Sequence, residues 1–430
     1  MTYSQAIDYI HSVVWKGSRP GLSRITELLH ALGDPQDSLR FIHVAGTNGK
    51  GSYCAMTEAV LRAAGYRTGL FVSPYIKHFN ERICFCGKPI PNDDLAEITA
   101  LVRPIADAMA DSPTEFELIT AIGLLYFKKM SCDIVVLETG MGGRLDSTNV
   151  IKDPLLTVIT GIAMDHTAFL GDTVEAIAVE KAGIIKKSAP VLWGGRDDSA
   201  RRVIGQRARE VGVRLVAAAD TPITVREMTL SGTTVDYADF KGITIPLLGS
   251  YQPGNLATVL CGITLLRECG FSISDNALRQ GLASVRWRGR FEKLCDAPLI
   301  LSDGAHNPQG IAAAVESIAH YFGGQKLLLL TGVMADKDYV GMVRDLAPIA
   351  DSAFCLTPDN PRSLAADELA AAFVGAGIPA RGFESVEAAV KAAVAAAERE
   401  HKPLISLGSL YMYAEVTAVL EGMGMIEEEA

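Results

Sequence analysis

No stretch of this chain approaches the roughly 18 consecutive apolar residues of a membrane helix. The longest candidate, Ile119 to Phe127, is short and broken by Thr120 and Gly123. The opening Met-Thr-Tyr-Ser-Gln-Ala-Ile-Asp lacks the basic-then-apolar layout of a secretory signal, so a cytoplasmic location and no membrane partner are expected. Basic residues are not in excess either: 40 Lys and Arg stand against 50 Asp and Glu, a net charge of −10 at pH 7. That argues against a nucleic-acid partner, which wants a basic face. An acidic chain that binds small anions must gather cations locally, from lysine, arginine, backbone dipoles or divalent metal. The 8 cysteines form no CxxC pair, which suits buried thiols in a reducing compartment. Cys84-x-Cys86 is the one close pair and reads as core, since two thiolates alone do not make a zinc site. Internal repeats are absent too.

What is present is ample apolar material. With 430 residues, 49% hydrophobic and 21% charged, the chain should bury two cores. Short apolar strands alternate with amphipathic helices, the mark of an α/β protein with largely parallel sheets. Strands are expected at 41–45, 68–73, 133–138, 155–162, 190–193 and 213–217, then a β-rich patch over 223–246 and a helix through 255–269. After the basic, glycine-kinked Arg286-Trp-Arg-Gly-Arg-Phe-Glu292 the alternation restarts, with strands at 298–302, 326–331, 353–357 and 404–407. Expected domains are therefore 1–287, a linker at 288–297, and 298–430.

Phe41-Ile-His-Val-Ala-Gly-Thr-Asn-Gly-Lys-Gly-Ser52 reads as a strand running into a phosphate-cradling loop. Gly46, Gly49 and Gly51 supply the freedom a tight loop needs, and a helical pattern follows Ser52. Backbone N–H groups at a helix start plus Lys50 make an anion site that fits a nucleoside triphosphate. The spacing departs from Walker A, which would place Gly at Val44 and Ser or Thr at Gly51.

Ligands of open α/β sheets bind outside the carboxyl ends of the strands, which selects further side chains. Asp133-Ile-Val-Val-Leu-Glu138 ends a buried run on a carboxylate, ahead of Gly140, Gly142 and Gly143. Those glycines make no dinucleotide fingerprint, since GxGxxG would need Gly at Leu145. His166 follows the next strand, and Ser73 the strand before Pro74. Carboxylate plus imidazole suits a divalent cation in a phosphate site. In the helix after Asp172, Lys181 shares a face with Val174, Ile177, Ala178 and Ile184/Ile185. A lysine turned inward needs a partner, a shifted pKa or chemical modification, unless it snorkels. In the second half, Asp303 and His306 stand at a strand end and helix start, with Asn307 as N-cap and Pro308 at N1. Two such edges facing each other would form an interdomain cleft.

These segments resemble the folate–glutamate ligases of the Mur ligase family. The resemblance covers nearly the whole chain: Gly46-Thr-Asn-Gly-Lys-Gly-Ser52, Ser73-Pro74, Phe79-Asn-Glu-Arg82, Glu138-x-Gly-x-Gly-Gly-Arg-Leu-Asp-Ser-Thr-Asn149, Asp165-His166, Glu180-Lys-Ala-Gly-Ile-Ile185, Gln252-x-x-Asn255, Arg288-x-Arg290, Asp303-Gly-Ala-His-Asn-Pro308, Ala335-Asp-Lys-Asp338 and Gly408-Ser-Leu410. It implies a P-loop NTPase-like domain, a Rossmann-like C-terminal domain, and an ATP-dependent ligase adding L-glutamate to the γ-carboxylate of a folate. Some members also join glutamate to dihydropteroate. By the same resemblance, Gly46, Thr47, Asn48, Gly49, Lys50, Gly51 and Ser52 cradle the triphosphate, with Asn255, Arg290 and Asp303 as further nucleotide contacts. Ser73, Glu138 and His166 match ligands of two Mg²⁺ ions, and Lys181 the lysine that the family carbamylates. Arg19, Pro20, Gly21, Phe116, Glu117, Leu145, Asp146 and Ser147 fall where the pterin and aminobenzoate bind. Arg82 joins this substrate set, and His306 and Ser409 are candidates for the incoming glutamate or the closing cleft. A monomer is expected, hinged near 288–291.

Two other functions compete. A cell-wall Mur ligase shares the phosphate loop and the carbamylated lysine, but usually carries an extra N-terminal domain ahead of the loop, which here begins near residue 46. A nucleotide-binding switch without ligase activity would need neither an inward Lys181 nor the second Asp/His edge.

Overall fold

The computed structural model describes residues 1–17 and 19–427. The chain divides into two compact units. The first comprises Met1–Val225, Val235–Ile245 and Pro253–Val285; the second takes Arg226–Thr234, Pro246–Gln252 and the chain from Arg286 onward.

The first unit is built on eight strands: β1 (Phe41–Ala45), β2 (Thr68–Phe71), β3 (Ile83–Phe85), β4 (Lys88–Pro89), β5 (Ile134–Glu138), β6 (Leu156–Ile159), β7 (Val191–Trp193) and β8 (Leu215–Ala217). Their order is β4-β3-β2-β5-β1-β6-β7-β8. The run from β2 to β8 is parallel, and β3 and β4 form an antiparallel edge. Strands covered on both faces must be apolar throughout, and β1 and β5 are buried along their full length. One core sets Phe41, Phe71, Val135 and Leu137 against Ile10, Leu28, Ile98 and Phe127 of the covering helices. Another packs Ile159 and Trp193 against Ile177, Ala178 and Ile204. Because β5 slots between β1 and β2, the connections diverge beside β1, the switch point where such sheets leave a crevice.

The β-rich patch is a three-stranded sheet, β9 (Ile223–Thr229), β10 (Gly232–Tyr237) and β11 (Phe240–Ile245). The second unit holds β12 (Glu292–Asp296), β13 (Leu299–Asp303), β14 (Leu327–Thr331), β15 (Ala350–Cys355), β16 (Ala380–Gly382) and β17 (Leu404–Leu407) in the order β12-β13-β17-β14-β15-β16. All pairs are parallel except β12 with β13. Helices cover both faces, with Ile311, Ile318, Val343 and Phe373 on one and Val390, Val394, Met412 and Val416 on the other. Both units are thus α/β with mainly parallel sheets, as the alternation implies.

Several bounds differ from expectation. Strand β2 stops at Phe71, leaving Ser73 in the following loop. The helix expected from Asn255 starts at Gln252, since Pro253 is tolerated in a first turn. Half of 288–297 is strand β12. The segments 226–234 and 246–252 go with the second unit because Leu230, Leu248 and Tyr251 pack into its core beside Phe291 and Ile318. Cys86 lies beyond β3 at φ 48°, so the Cys84/Cys86 pair does not alternate along one strand.

Candidate active site

The loop after β1 is shaped by its neighbour after β6. Thr47 N donates to Gly161 O at 2.8 Å, and the Thr160 hydroxyl donates to Asn48 O at 2.8 Å. Gly46 has φ 154°, and a Cβ there would fall 1.8 Å from Thr160 Oγ1. Only glycine fits. Gly49, at φ 88°, precedes the helix Lys50–Ala63, and a Cβ there would lie 2.7 Å from Asn255 Oδ1. Asn255 is thereby set against the phosphate loop. Thr160 and Gly161 were not among the sequence-derived residues; the strand-end rule, applied to β6 as to β5, would have found them.

Two lysines converge beneath the loop. Lys50 Nζ donates to Gly46 O at 3.0 Å and Thr47 O at 3.3 Å, and stands 3.8 Å from Glu138 Oε1. Lys181 Nζ donates to the same Gly46 O at 2.8 Å. Lys181 is only 4% exposed, as its place on the apolar helix face implies. Burial pulls its pKa from 10.5 down to about 7, and repulsion from Lys50 adds to this, against the pull of Asp165 and Asp146. The helix Val174–Ala182 is held by the glycine loop that follows β5. Gly143 abuts the Glu180 and Lys181 carbonyls, where a Cβ would come within 2.9 and 3.0 Å, and Arg144 pairs with Glu180 at 2.8 Å.

Glu138, buried at the end of β5, receives Ser73 N at 3.4 Å. His166 is exposed, in a left-handed conformation at φ 49°, with Nε2 3.9 Å from Asp165 Oδ2. Among the described residues, no three His, Cys, Asp or Glu side chains gather as a metal-holding group. That fits Mg²⁺, which takes one or two carboxylates, waters and substrate phosphates rather than an all-protein cage. Glu138 and the Ser73 hydroxyl are hard oxygen donors of that kind.

The residues expected to meet the substrate gather in part. Gly21 N donates to Leu145 O at 3.3 Å, Ser147 Oγ lies 3.2 Å from Thr120 Oγ1, and Phe116 packs on Gly140, where a Cβ would come within 2.6 Å of the ring. Asp146 is buried, which raises its carboxyl pKa; its oxygens accept from Met141 N at 2.9 Å and Thr148 N at 3.0 Å, fixing the glycine loop. Glu117 is engaged through one oxygen, and its Oε1 is buried without a hydrogen-bond partner among the described residues. Its Oε2 accepts from Thr114 N at 2.7 Å and Thr114 Oγ1 at 2.9 Å, a capping box, and pairs with buried Arg24 at 3.0 Å. Arg19 is exposed and bound to Asp111 at 2.9 Å, Pro20 is exposed, and Arg82 lies over the Tyr75 ring at 5.0 Å.

The second unit presents its own edge. Parallel register aligns Asp303 and Thr331 with Leu407, so the loops after β13, β14 and β17 leave the sheet together. Buried Asp303, its carboxyl pKa raised by burial, accepts from Ala305 N at 2.7 Å on one oxygen, and from Phe291 N at 2.8 Å and the Tyr251 hydroxyl at 2.9 Å on the other. His306 Nδ1 lies 2.8 Å from Gly304 O. Asn307 caps the helix Pro308–Phe322, and Ser409 Oγ accepts from Tyr411 N at 3.2 Å.

Comparison with known proteins matches residues 44–262 to the Mur ligase middle domain and residues 289–409 to the Mur ligase, glutamate ligase domain. A phosphate loop on one α/β unit and a glutamate ligase unit after it define an ATP-dependent, carbon–nitrogen bond-forming ligase of the Mur class. Folylpolyglutamate synthase from Lacticaseibacillus casei is 36% identical over 442 residues, covering 98% of this chain and 99% of that protein. Dihydrofolate synthase/folylpolyglutamate synthase from Bacillus subtilis is 38% identical over 378 residues, covering 85% and 88%. The Mycobacterium tuberculosis folylpolyglutamate synthase, solved with ADP and AMPPCP, superposes with a TM-score of 0.88 at 29% identity, over 97% of this chain and 99% of that one. The chain belongs to the folylpolyglutamate synthase family of Mur ligases.

Proposed function

We propose that the chain joins L-glutamate to the γ-carboxylate of a reduced folate through an acyl phosphate made from ATP. The observation that carries this reading is the pair of lysines on one carbonyl: Lys50 and buried Lys181 both donate to Gly46 O. Two ammonium groups so placed repel. Carbamylation of Lys181 would relieve the conflict, turning a buried cation into an anion with oxygen donors. The neutral amine is the form that adds CO₂, and a pKa of about 7 makes it abundant at neutral pH.

A carboxylate is a poor acyl donor until phosphorylated. The folate carboxylate would attack the γ-phosphate in line; ADP leaves, the amine of glutamate attacks the acyl carbon, and phosphate departs. Backbone N–H groups of residues 46–52 would hold the phosphates, with Lys50 on the transferring group. Two Mg²⁺ ions, held by Ser73, Glu138, His166 and carbamylated Lys181, would neutralise the charge that develops there. Gly21, Phe116 and Leu145 to Ser147 would seat the pterin and aminobenzoate; Arg290 would meet the nucleotide, and His306 and Ser409 the incoming glutamate. A cytoplasmic monomer belongs to the same reading, and its 8 cysteines, all free thiols, support a reducing compartment.

One assay tests it: phosphate release from ATP with glutamate present, comparing tetrahydrofolate, dihydropteroate and a muramyl nucleotide as acceptors. Release should require tetrahydrofolate and glutamate together. The Bacillus subtilis relative bears both activities in its name, which makes dihydropteroate the second acceptor to compare. Release driven only by the muramyl nucleotide, or by no acceptor, would overturn the reading.

A further inference from the structure

The turn Gly289-Arg290-Phe291 is held unusually firmly for a segment that buries no helix or strand of its own. Gly289 has φ 63° and Phe291 φ 46°, the latter in a region that residues with a side chain rarely occupy. Such a conformation persists only where the surroundings over-determine it. Here they do so from both sides. Gly289 N donates to Glu292 Oε2 at 2.7 Å, and that oxygen also accepts the Tyr413 hydroxyl at 2.8 Å. Phe291 N donates to Asp303 Oδ2 at 2.8 Å, and that oxygen also accepts the Tyr251 hydroxyl at 2.9 Å. Gly304 N closes the turn on Gly289 O at 2.9 Å. The Phe291 ring is fully buried and stacks on Tyr321, centroids 5.4 Å apart.

Arg290 lies between these two clamps. Its half-buried guanidinium makes no direct hydrogen bond among the described residues and feels the Asp303 carboxylate only through space, although its backbone neighbours are pinned on either side. One of its terminal nitrogens passes 3.1 Å from where a Cβ on Gly304 would sit, beside Leu410, which at 2.1 Å is what demands the glycine. Both Asp303 oxygens accept from protein donors, so Asp303 braces the turn from within.

We infer that Tyr251 and the Glu292–Tyr413 pair are positioning residues: each tyrosine fixes a carboxylate that fixes one flank of Arg290, aiming its donors at an anionic ligand. This rests on the reading above in which Arg290 meets the nucleotide.

The test uses the full chain with Tyr251→Phe, Tyr413→Phe and Arg290→Ala, alone and combined. Binding of a non-hydrolysable ATP analogue is measured without acceptor, beside KM for ATP and kcat. Each tyrosine variant should weaken analogue binding and raise KM by about fivefold, the effect of one hydrogen bond of ordinary strength, while kcat holds. In the Arg290→Ala background the same substitutions should change nothing further. Tyrosine effects that persist there, or that appear only as lost stability, would overturn the positioning role. Arg290→Ala binding the analogue as well as the unaltered protein would remove the inference together with the assignment of Arg290. The acceptor-dependent assay judges the folate reading separately.

Discussion

Replacing Lys181 by methionine should stabilise the protein at neutral pH while abolishing ligation. Burial, with Lys50 adding repulsion, brings this amine from 10.5 to about 7. A displacement of that size sets about 5 kcal/mol against the protonated form. Below pH 7 the folded and unfolded chains both hold the proton, so the full penalty falls on the fold. Between 7 and 10.5 only the unfolded chain holds it, and stability rises with pH by about 1.4 kcal/mol per pH unit. Methionine has similar length and no charge, and Gly46 O keeps Lys50 as its donor. Its gain should therefore be largest near pH 6 to 7 and fall below about 1 kcal/mol by pH 10. Urea unfolding from pH 6 to 10, in buffer freed of CO₂ and followed through buried Trp193, measures it. At pH 7 about half of a lysine with this pKa is neutral, against about 0.03% of an ordinary one, so bicarbonate should then stabilise the unaltered chain and not the variant. A gain that is absent, or flat with pH, refutes the argument.

Glu138→Gln should raise the Mg²⁺ concentration needed for half-maximal turnover as well as lowering the rate, because a neutral amide is a poorer ligand for a hard cation. An unchanged Mg²⁺ titration would take Glu138 out of the metal site. Glu117→Gln should cost about 1 to 3 kcal/mol, because it leaves buried Arg24 with only the exposed Asp111 carboxylate at 3.4 Å as its charged partner, with nucleotide binding intact. A folate KM that rises while the unfolding midpoint stays fixed would return Glu117 to the substrate site.

Those residues also mark how far the sequence could be read. Lys181 was legible because a charge on an otherwise apolar helical stripe can be seen from spacing alone. The phosphate loop was legible because Gly46 and Gly49 are required locally by their positive φ, whereas Gly51 is helical and the Thr160 hydroxyl that also demands Gly46 could not be seen from spacing. Glu117 was not. Thr114-x-x-Glu117 carries the spacing of a capping box, but the buried Arg24 partner is 93 residues away in sequence, beyond any local pattern. Asp303 was found at its strand end, yet what it does depends on Tyr251 and Phe291, brought in by tertiary packing. The two short segments 226–234 and 246–252 were not separable for the same reason: Leu230 sits in a stretch whose alternation says strand, and nothing local says which core it or Leu248 enters.

The arrangement of the second sheet has a consequence for how the protein comes into being. Strand β17, residues 404–407, lies between β13 and β14, so both wait for a neighbour made about a hundred and about seventy-five residues later, respectively. On the ribosome the nucleotide-binding sheet has all its strands long before the second sheet can close. Until then two Leu- and Ile-rich edges stand open, a window in which nascent chains are exposed to mispairing and to chaperones.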